Sequence, residues 1–468
     1  MLKKLFSHTL IYGLSPQIVM IVNFLLLPLI TRELNAQDYG IHATVLTYAT
    51  AFSVLGDLGL KVNISNSFYK SPMQYKWAWR QYYGFLNLWN IFYAIILGTI
   101  VYLIVPDEAR QHKWTIVILN TLPLVIMGQT SLLGRKYYQL TQQPFQIAIR
   151  SLIFGLLTAI LNYFFIVHNK MGYMGWFWAT FLSTILSNFS YWYALNFKLN
   201  FKPIFNFKKR FIRNSLKIAL PTIPHFYSGY LLNSSQILVM DRLHVTTGEI
   251  GKYQAANTFG TIADGVSTAV GWAIGPIQNQ KFKERKFHEA RDIIFLTQVI
   301  FFAGTFLASI WLKEIFALMI KNDSLKSMYY LGIILIMSVN YRPMYFGAVN
   351  KIIFYERTNM LWKLTLTAGI INILGNIIFI PFFGYEVAAY VGFISFSFMG
   401  YSAYYFKSFK DYGDEKYYPI FWFIGSIILC ALAYWLVEFN WYLKFIISII
   451  TLVTAIRFIL MLNKRISL

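Results

Sequence analysis

The sequence is poor in charged residues, and this shortage indicates its class. Of 468 residues, only 13% are charged and 57% are hydrophobic, whereas a soluble domain carries about 25% charged residues. Long apolar stretches recur from residue 9 to residue 462, and no interval between them is long enough for a soluble domain. The composition therefore predicts an all-α integral membrane protein of many helices, not a soluble enzyme with one anchor.

Other absences argue against an enzyme. The single cysteine, Cys430, excludes a disulfide framework and a cysteine-based metal site. The seven histidines form no His-x-x-x-His pair, and the ATP-binding pattern GxxxxGK[ST] is missing. The loops predicted outside the membrane are about ten residues long, shorter than functional lids usually are. We therefore expect no catalytic residues, no metal, no cofactor and no enzymatic activity.

The apolar stretches predict fourteen transmembrane helices, because a spanning helix needs about 20 mainly apolar residues. With the N-terminus in the cytoplasm, the predicted cytoplasmic segments hold 28 of the 41 Lys and Arg residues, and the opposite loops hold 10. This bias follows the positive-inside rule, so we expect both termini in the cytoplasm and no nucleic-acid partner despite the net charge of +22. The predicted segments are 9–31, 40–65, 81–105, 113–134, 145–166, 172–197, 214–240, 250–280, 292–312, 327–350, 360–381, 385–406, 418–437 and 441–462.

A shift of about 210 residues aligns the sequence with itself. Residues 139–176 then lie over 354–389, and QDYGIH (37–42) lies over GEIGKY (248–253). Chance similarity between apolar segments is the alternative explanation. Six helices per half would give parallel repeats, a transporter arrangement with the substrate path between them. We expect the following domains: an N-terminal half over 1–197, a basic linker over 198–213, a C-terminal half over 214–410, and two additional helices over 411–468.

Several motifs resemble the polysaccharide flippases, the Wzx-type O-antigen and capsule transporters. They are PLITRELNAQDYG (28–40), LGDLGL (55–60), and LPTIPHFYSGYLLNSSQILVMDRL (220–243) with GEIGKYQAAN (248–257). These flippases share a superfamily with the MATE drug exporters and the lipid II flippases.

The resemblance implies a MATE-like fold and movement of an undecaprenyl-pyrophosphate-linked oligosaccharide across the bacterial inner membrane. Its implied partners are membrane lipids, a polysaccharide polymerase and glycosyltransferases. The first two predicted helices hold few arginines, a departure from the lipid II branch that makes lipid II a less expected cargo.

Five charged residues inside predicted helices are candidates for a functional role: Asp57, Lys61, Arg150, Asp264 and Arg342. Because such charge is costly in the bilayer, it usually faces a cavity and serves function. We expect Arg342, assisted by Lys61 and Arg150, to bind the pyrophosphate, since guanidinium suits phosphate and Pro343 can open the backbone. The alternatives are a structural pair of Arg342 with Asp57 or Asp264, and basic side chains that merely reach the membrane surface. Either aspartate could also couple transport to a cation.

Uncharged polar residues cluster in the seventh and eighth predicted helices. Asn233, Ser234, Gln236 and Asn257 are candidates for contacts with sugar hydroxyls, or they bond helices to one another. We expect His225 to serve helix packing. Two rival functions remain: a MATE-like cation-coupled exporter of small molecules acting through Asp57 or Asp264, and a membrane glycosyltransferase or ligase, which would need a large external loop.

Overall fold

The computed structural model of the protein describes residues 2–356, 360–411 and 415–463, without the side chains of residues 2–15, 225, 226, 408 and 463. The chain is 86% helical, and the described ranges contain no strand. The predicted all-α fold is therefore confirmed. The helices are α1 (Leu2–Glu33), α2 (Ala36–Phe52), α3 (Val54–Asp57), α4 (Lys61–Lys70), α5 (Tyr75–Ile104), α6 (Lys113–Met127), α7 (Thr130–Leu140), α8 (Pro144–Asn162), α9 (Tyr173–Tyr193), α10 (Lys209–Ala219), α11 (Ile223–Asn233), α12 (Ser235–Arg242), α13 (Thr247–Lys283), α14 (Phe287–Ile310), α15 (Leu312–Met319), α16 (Asp323–Lys326), α17 (Tyr329–Met337), α18 (Arg342–Phe354), α19 (Leu361–Phe383), α20 (Val387–Tyr401), α21 (Lys407–Lys410), α22 (Pro419–Leu436) and α23 (Trp441–Asn463).

Each of the fourteen predicted segments coincides with one helix or with several short helices in succession. Four segments predicted as single helices are broken: 40–65 into α2, α3 and α4; 113–134 into α6 and the start of α7; 214–240 into α10, α11 and α12; and 327–350 into α17, a 3₁₀ turn and α18. Hydropathy averaged over 20 residues does not detect such breaks, because they keep the apolar composition and change only the backbone.

The number of membrane crossings stays a prediction. By length and apolar composition, eight helices of the described residues qualify as spans, or nine if the bent pair Asp107–Met127 and Thr130–Leu140 is one span. The breaks shorten several other segments, and the polar residues of α13 lower its hydropathy, so these fail a test based on uninterrupted apolar length.

The chain folds into two compact units, Met1–Tyr230 and Leu231–Leu468. In the first unit, α1 packs on α8, α5 packs on α6, and α9 packs on both α6 and α8. In the second unit, α13 packs on α17 and α18, α19 packs on α20, and α14 contacts α18, α22 and α23. The predicted domain boundaries and linker remain predictions.

Two residues aligned by the internal repeat begin their helices in the same way. Asn35 caps α2 and exchanges hydrogen bonds with Asp38, while Thr246 caps α13 and exchanges them with Glu249. In both capping boxes the carboxylate stands three residues after the cap and satisfies a backbone N–H at the helix start. The chain thus uses the same local solution 211 positions apart, at the motifs QDYGIH and GEIGKY.

Candidate functional site

The second unit contains an open cavity of about 350 Å³. Four parts of the fold line it: the α11–α12 junction, one face of α13, the break between α17 and α18, and the middle of α20. Its lining residues are Leu232, Asn233, Gln236, Tyr253, Asn257, Gly260, Thr261, Asp264, Leu335, Ser338, Val339, Tyr341, Arg342, Gly392 and Phe396.

The polar wall of the cavity comes from α13. Tyr253, Asn257, Thr261 and Asp264 line it, and their spacings of four, four and three residues place them on one face of the helix. All four side chains carry polar atoms that can bond to water or to a polar ligand. This stripe gives α13 its low hydropathy, which is expected of a helix that faces a wet cavity.

The opposite wall is built by a break in the chain. After α17 ends, residues Ser338–Tyr341 form a 3₁₀ turn, and α18 starts at Arg342 with Pro343 in its first turn. Proline has no N–H to donate and cannot continue a regular helix without losing a hydrogen bond. The break directs Arg342 to the cavity, as the sequence predicted from the Arg-Pro pair.

Buried polar side chains stabilise the break. The carbonyl of Asn340 accepts a hydrogen bond from Nε2 of Gln298 at 2.8 Å and from the hydroxyl of Tyr401 at 3.4 Å. The amide oxygen of Asn340 accepts another from Thr305 at 2.9 Å. Side chains of α14 and α20 thus replace backbone hydrogen bonds that the irregular turn gives up, which keeps the turn rigid.

Arg342 and Asp264 form an ion pair in the cavity. Nε of Arg342 donates to Oδ1 of Asp264 at 2.9 Å, and Nη2 donates to the same oxygen. The side chain of Arg342 is 17% exposed and that of Asp264 is 41% exposed. Of the two partners that the sequence left open, Asp264 is therefore bonded to Arg342. Whether the pair binds substrate stays a prediction.

Three of the four predicted sugar-contact residues line this same cavity. They are Asn233, Gln236 and Asn257, whereas Ser234 is not among the lining residues. Nε2 of Gln236 donates to the carbonyl of Asn233 at 3.1 Å. Neighbouring amides near a guanidinium offer both donors and acceptors, the combination that sugar hydroxyls need.

An aromatic pair that the sequence analysis missed completes the cavity. Tyr341 and Phe396 stack with ring centroids 5.1 Å apart and planes 15° apart, and both line the cavity. Tyr341 directly precedes Arg342, so the Tyr-Arg-Pro sequence was an available signal. Its partner lies on α20, which only packing reveals.

In the first unit, Asp57 and Lys61 lie at the break between α3 and α4. Oδ1 of Asp57 accepts a hydrogen bond from the backbone N–H of Gly59 at 2.8 Å, and Oδ2 lies 3.8 Å from Nζ of Lys61. Leu58 and Gly59 both have positive φ angles. Asp57 therefore stabilises the tight turn in LGDLGL and balances the charge of Lys61. This is a structural role.

Lys136 is a further cation that the sequence analysis did not select. It is close enough to Lys61 and Asp57 for their charges to interact. Because Lys136 stands in α7, at the predicted end of a helix, the sequence gave no reason to prefer it over other basic residues there.

Arg150 is held by neutral groups. Nε donates to Ser190 at 3.0 Å, and Nη1 donates to the carbonyl and the side chain of Gln146, both at 2.8 Å. The guanidinium also lies 5.1 Å from the ring centres of both Tyr138 and Tyr191. No ion pair of the described residues includes Arg150, and its role in binding stays a prediction.

The chemistry available at the cavity is that of binding. Within the described ranges, no three His, Cys, Asp or Glu side chains come together in a way that could hold a metal ion. The cavity offers one guanidinium, one carboxylate, amides and stacked rings. The side chain of His225 lies outside the described residues.

Comparison with solved structures shows the fold. The structure of "Lipid II flippase MurJ, inward closed conformation" matches with a TM-score of 0.72 at 14% identity, covering 97% of each chain. An inward-facing multidrug resistance MATE family transporter matches with a TM-score of 0.55 at 14% identity, covering 91% of this chain and 95% of that one. The D35N mutant of the Vibrio cholerae MATE transporter VcmN matches at 0.53 and 14% identity, covering 87% and 96%. The MATE-like fold of a multi-pass membrane protein is thereby confirmed.

Comparison with sequences gives the family. A search of the curated proteins finds no match. The profile of the family described as "Polysaccharide biosynthesis protein" matches residues 2–278. Because this match covers more than half of the chain, the protein belongs to the polysaccharide biosynthesis protein family.

Proposed function

We propose that this protein is a flippase that moves an undecaprenyl-pyrophosphate-linked oligosaccharide across the bacterial inner membrane by alternating access. Its product would enter surface polysaccharide assembly, of O-antigen or capsule, where glycosyltransferases supply the substrate and a polymerase consumes it. Family membership and the fold shared with a lipid II flippase support a lipid-linked cargo.

The observation that carries the proposal is Arg342 in a cavity beside amides and stacked rings. A guanidinium presents several donors in a planar fork that matches phosphate oxygens. Asn233, Gln236 and Asn257 would bind sugar hydroxyls, and Tyr341 with Phe396 would offer an aromatic surface to a sugar ring. The lipid tail would stay in the bilayer while the headgroup crosses. Lys61 and Arg150 of the first unit are proposed as further contacts for the pyrophosphate.

The ion pair defines how the headgroup would bind. With Arg342 bonded to Asp264, the two formal charges of the pair cancel. A pyrophosphate must therefore displace the carboxylate from the guanidinium, and the free carboxylate then lies beside a negative ligand. Asp264 would thus act as a counter-ion that keeps the empty site neutral, and its release would oppose headgroup binding.

The test uses cells that make a surface polysaccharide dependent on this gene. Arg342→Ala should abolish the surface polysaccharide and cause lipid-linked oligosaccharide to accumulate on the cytoplasmic face, at an unchanged protein level. Asp323→Asn, a charge change on a residue whose side chain is 91% exposed and does not line the cavity, serves as the control. Unchanged polysaccharide in the Arg342 variant would overturn the proposed role.

A MATE-like exporter is the second candidate, and the half-exposed carboxylate of Asp264 in the cavity favours it. A cationic drug would use this carboxylate, whereas an anionic headgroup would use Arg342. Under the exporter hypothesis, Asp264→Asn sensitises cells to cationic drugs and leaves surface polysaccharide intact. The flippase hypothesis predicts a change in polysaccharide and none in drug sensitivity.

A further inference from the structure

The most basic stretch of the sequence has no acidic residues near it. Residues 198–217 contain seven Lys and Arg residues, and the chain has no Asp or Glu between Glu108 and Asp241. No ion pair among the described residues includes any of the seven. The positive charge of this stretch is therefore not neutralised by salt bridges in the described structure.

The basic side chains of α10 lie on its exposed side. Ile212, Ser215 and Ala219 are buried against the α4 and α5 region, and the hydroxyl of Ser215 lies 3.0 Å from that of Tyr82. On the far side of α10, basic residues recur every four positions, which aligns them along one exposed stripe. The exposed basic residues of α10 are Lys209, Arg210, Arg213 and Lys217.

The segment before α10 is fixed to the same helix, α5. Nε of Arg80 donates to the carbonyl of Lys202 at 2.8 Å, and the N–H of Ile204 donates to the carbonyl of Arg80 at 3.0 Å. The N–H of Lys208 donates to Oε1 of Gln81 at 2.7 Å. The backbone of the basic stretch is thus fixed to the rest of the first unit. Ligand binding to its cations would therefore cost little backbone conformational entropy.

Apolar side chains are exposed beside these cations. Ile218 is 58% exposed, Leu220 45% and Phe205 56%. An acidic soluble partner would neutralise the charge but leave such residues to be covered separately. A bilayer surface offers both phosphate groups and an adjoining apolar layer, the environment that amphipathic basic helices occupy.

We propose that this basic surface, formed by residues 202–208 and α10, binds the headgroups of anionic phospholipids at the membrane. The chain runs from α10 through Leu220–Thr222 directly into α11. The span predicted over 214–240 begins within α10, so the cations stand at its start, where basic residues lie at the membrane surface. With 11 residues, α10 is about 16 Å long, enough to contact several headgroups at once. The proposal does not depend on the cargo of the transporter.

The test titrates the purified full-length protein in neutral detergent with phosphatidylglycerol or phosphatidylcholine and counts bound lipids by native mass spectrometry. The variant Lys209→Gln/Arg210→Gln/Arg213→Gln/Lys217→Gln should lose phosphatidylglycerol affinity by roughly tenfold or more, since each basic residue near an anionic surface contributes measurably. Binding of phosphatidylcholine should not change. Added NaCl should weaken wild-type binding of phosphatidylglycerol, because salt screens exposed charges.

The matched control removes four exposed basic residues elsewhere, as Arg110→Gln/Lys170→Gln/Lys283→Gln/Arg285→Gln. It should bind phosphatidylglycerol like the wild type; equal losses in both variants, or a loss in neither, would overturn the proposal. The variant Lys209→Arg/Lys217→Arg should retain binding. If the quadruple variant does not fold, single substitutions decide, each with a loss of roughly fivefold expected. Two further results would contradict a lipid-binding surface. One is that inorganic pyrophosphate competes with phosphatidylglycerol as well as free phosphatidylglycerol does; the other is that the surface binds an acidic protein in preference to lipid.

Discussion

The guanidinium of Arg342 donates both of its hydrogen bonds to Asp264, 78 positions earlier in the chain, on the same carboxylate oxygen. Nη1 of Arg342 takes no part in this pair. The guanidinium also lies 5.2 Å from the ring centre of Tyr341, and the carboxylate is the more exposed partner, 41% against 17%. Under the proposed function, an anionic headgroup would replace the carboxylate at the guanidinium.

Substitution of Asp264 should strengthen the binding of anions. In Asp264→Asn the competing charge is gone, so affinity for geranyl pyrophosphate should rise about five- to tenfold, while Arg342→Ala should lower it more than about tenfold, as expected for charge-assisted hydrogen bonds. Arg342→Lys should fall between them because lysine lacks the planar fork. Calorimetric titration of purified protein measures this, with Asp323→Asn as the control. Weaker binding in Asp264→Asn would show that the carboxylate assists the ligand.

Gly59 should not tolerate a side chain. Its φ angle is +74°, and a Cβ atom there would lie 2.5 Å from the carbonyl oxygen of Ala219. We expect Gly59→Ala to destabilise the protein by about 2 kcal/mol or more, from backbone strain and steric overlap. Gly304, in the helical α14 with nothing within 4 Å of a Cβ, provides the control; Gly304→Ala should be neutral or stabilising by up to about 1 kcal/mol. Equal thermal unfolding midpoints would contradict the role of Gly59.

Two ion pairs attach the C-terminal helices to α15 and should differ in strength. Nζ of Lys444, with a fully buried side chain, donates to Glu314, whose side chain is 43% exposed, at 2.6 Å. Lys313 bonds Glu438, with side chains 45% and 52% exposed. Double-mutant cycles should give a coupling of about 1 kcal/mol for Lys444–Glu314, because the buried lysine is less screened, and a smaller one for the exposed pair. Equal couplings would show that burial does not decide the strength.

The contribution of the exposed Lys313–Glu438 pair to stability should depend on pH. The hydrogen bond from Lys313, followed by that from Tyr329, lowers the pKa of Glu438. A carboxylate with a depressed pKa stabilises the folded state above its unfolded-state pKa, and this contribution is lost as the pH falls through the folded-state value. The difference in unfolding midpoint between wild type and Glu438→Gln should therefore be largest at neutral pH and shrink as the pH falls below about 4.3, the ordinary pKa of a glutamate. A difference independent of pH would exclude this charge effect.

Loss of the two capping boxes should lower the free energy of unfolding by different amounts. Asp38 closes the cap of α2 and also accepts a hydrogen bond from the N–H of Tyr173, a residue distant in the chain, at 3.2 Å. Both hydrogen bonds that Glu249 accepts come from its own cap residue Thr246, at 3.1 Å and 2.7 Å. Loss of a cap costs about 0.5–2 kcal/mol. Asp38→Ala should be more destabilising than Glu249→Ala by up to about 1 kcal/mol, because it also removes a hydrogen bond to another helix. Chemical unfolding of both variants checks this order, and a larger cost at Glu249 would contradict it.

Sequence reasoning identified much of the cavity before its shape was known. Arg342 stood out as charge deep in an apolar segment next to a proline, and Asn233, Gln236 and Asn257 as polar residues in predicted helices. All four line the cavity. Ser234, chosen from the same polar cluster, does not, because it lies between α11 and α12, where the helix is interrupted and helical spacing no longer decides which side chains face inward.

The breaks in the helices were harder to predict from the sequence. The segment 40–65 was expected to be continuous, but Asp57 and Gly59 build a turn inside it. Proline at 343 was a local signal for the break before α18. LGDLGL offers only an aspartate and two glycines, residues that also occur in regular helices, so the contact of Gly59 with Ala219 in the structure is needed to establish the turn.

The sequence by itself determined that the protein is a helical membrane protein, approximately where its apolar helical segments run, and which charges within them need an explanation. These are consequences of composition, periodicity and local backbone chemistry. Only the tertiary structure decided that Asp264 pairs with Arg342, that Phe396 stacks on Tyr341, and that α10 turns its cations outward. The physical reason is that each of these contacts joins segments far apart in the chain, and the strength of a charge or ring interaction depends on a distance set by packing.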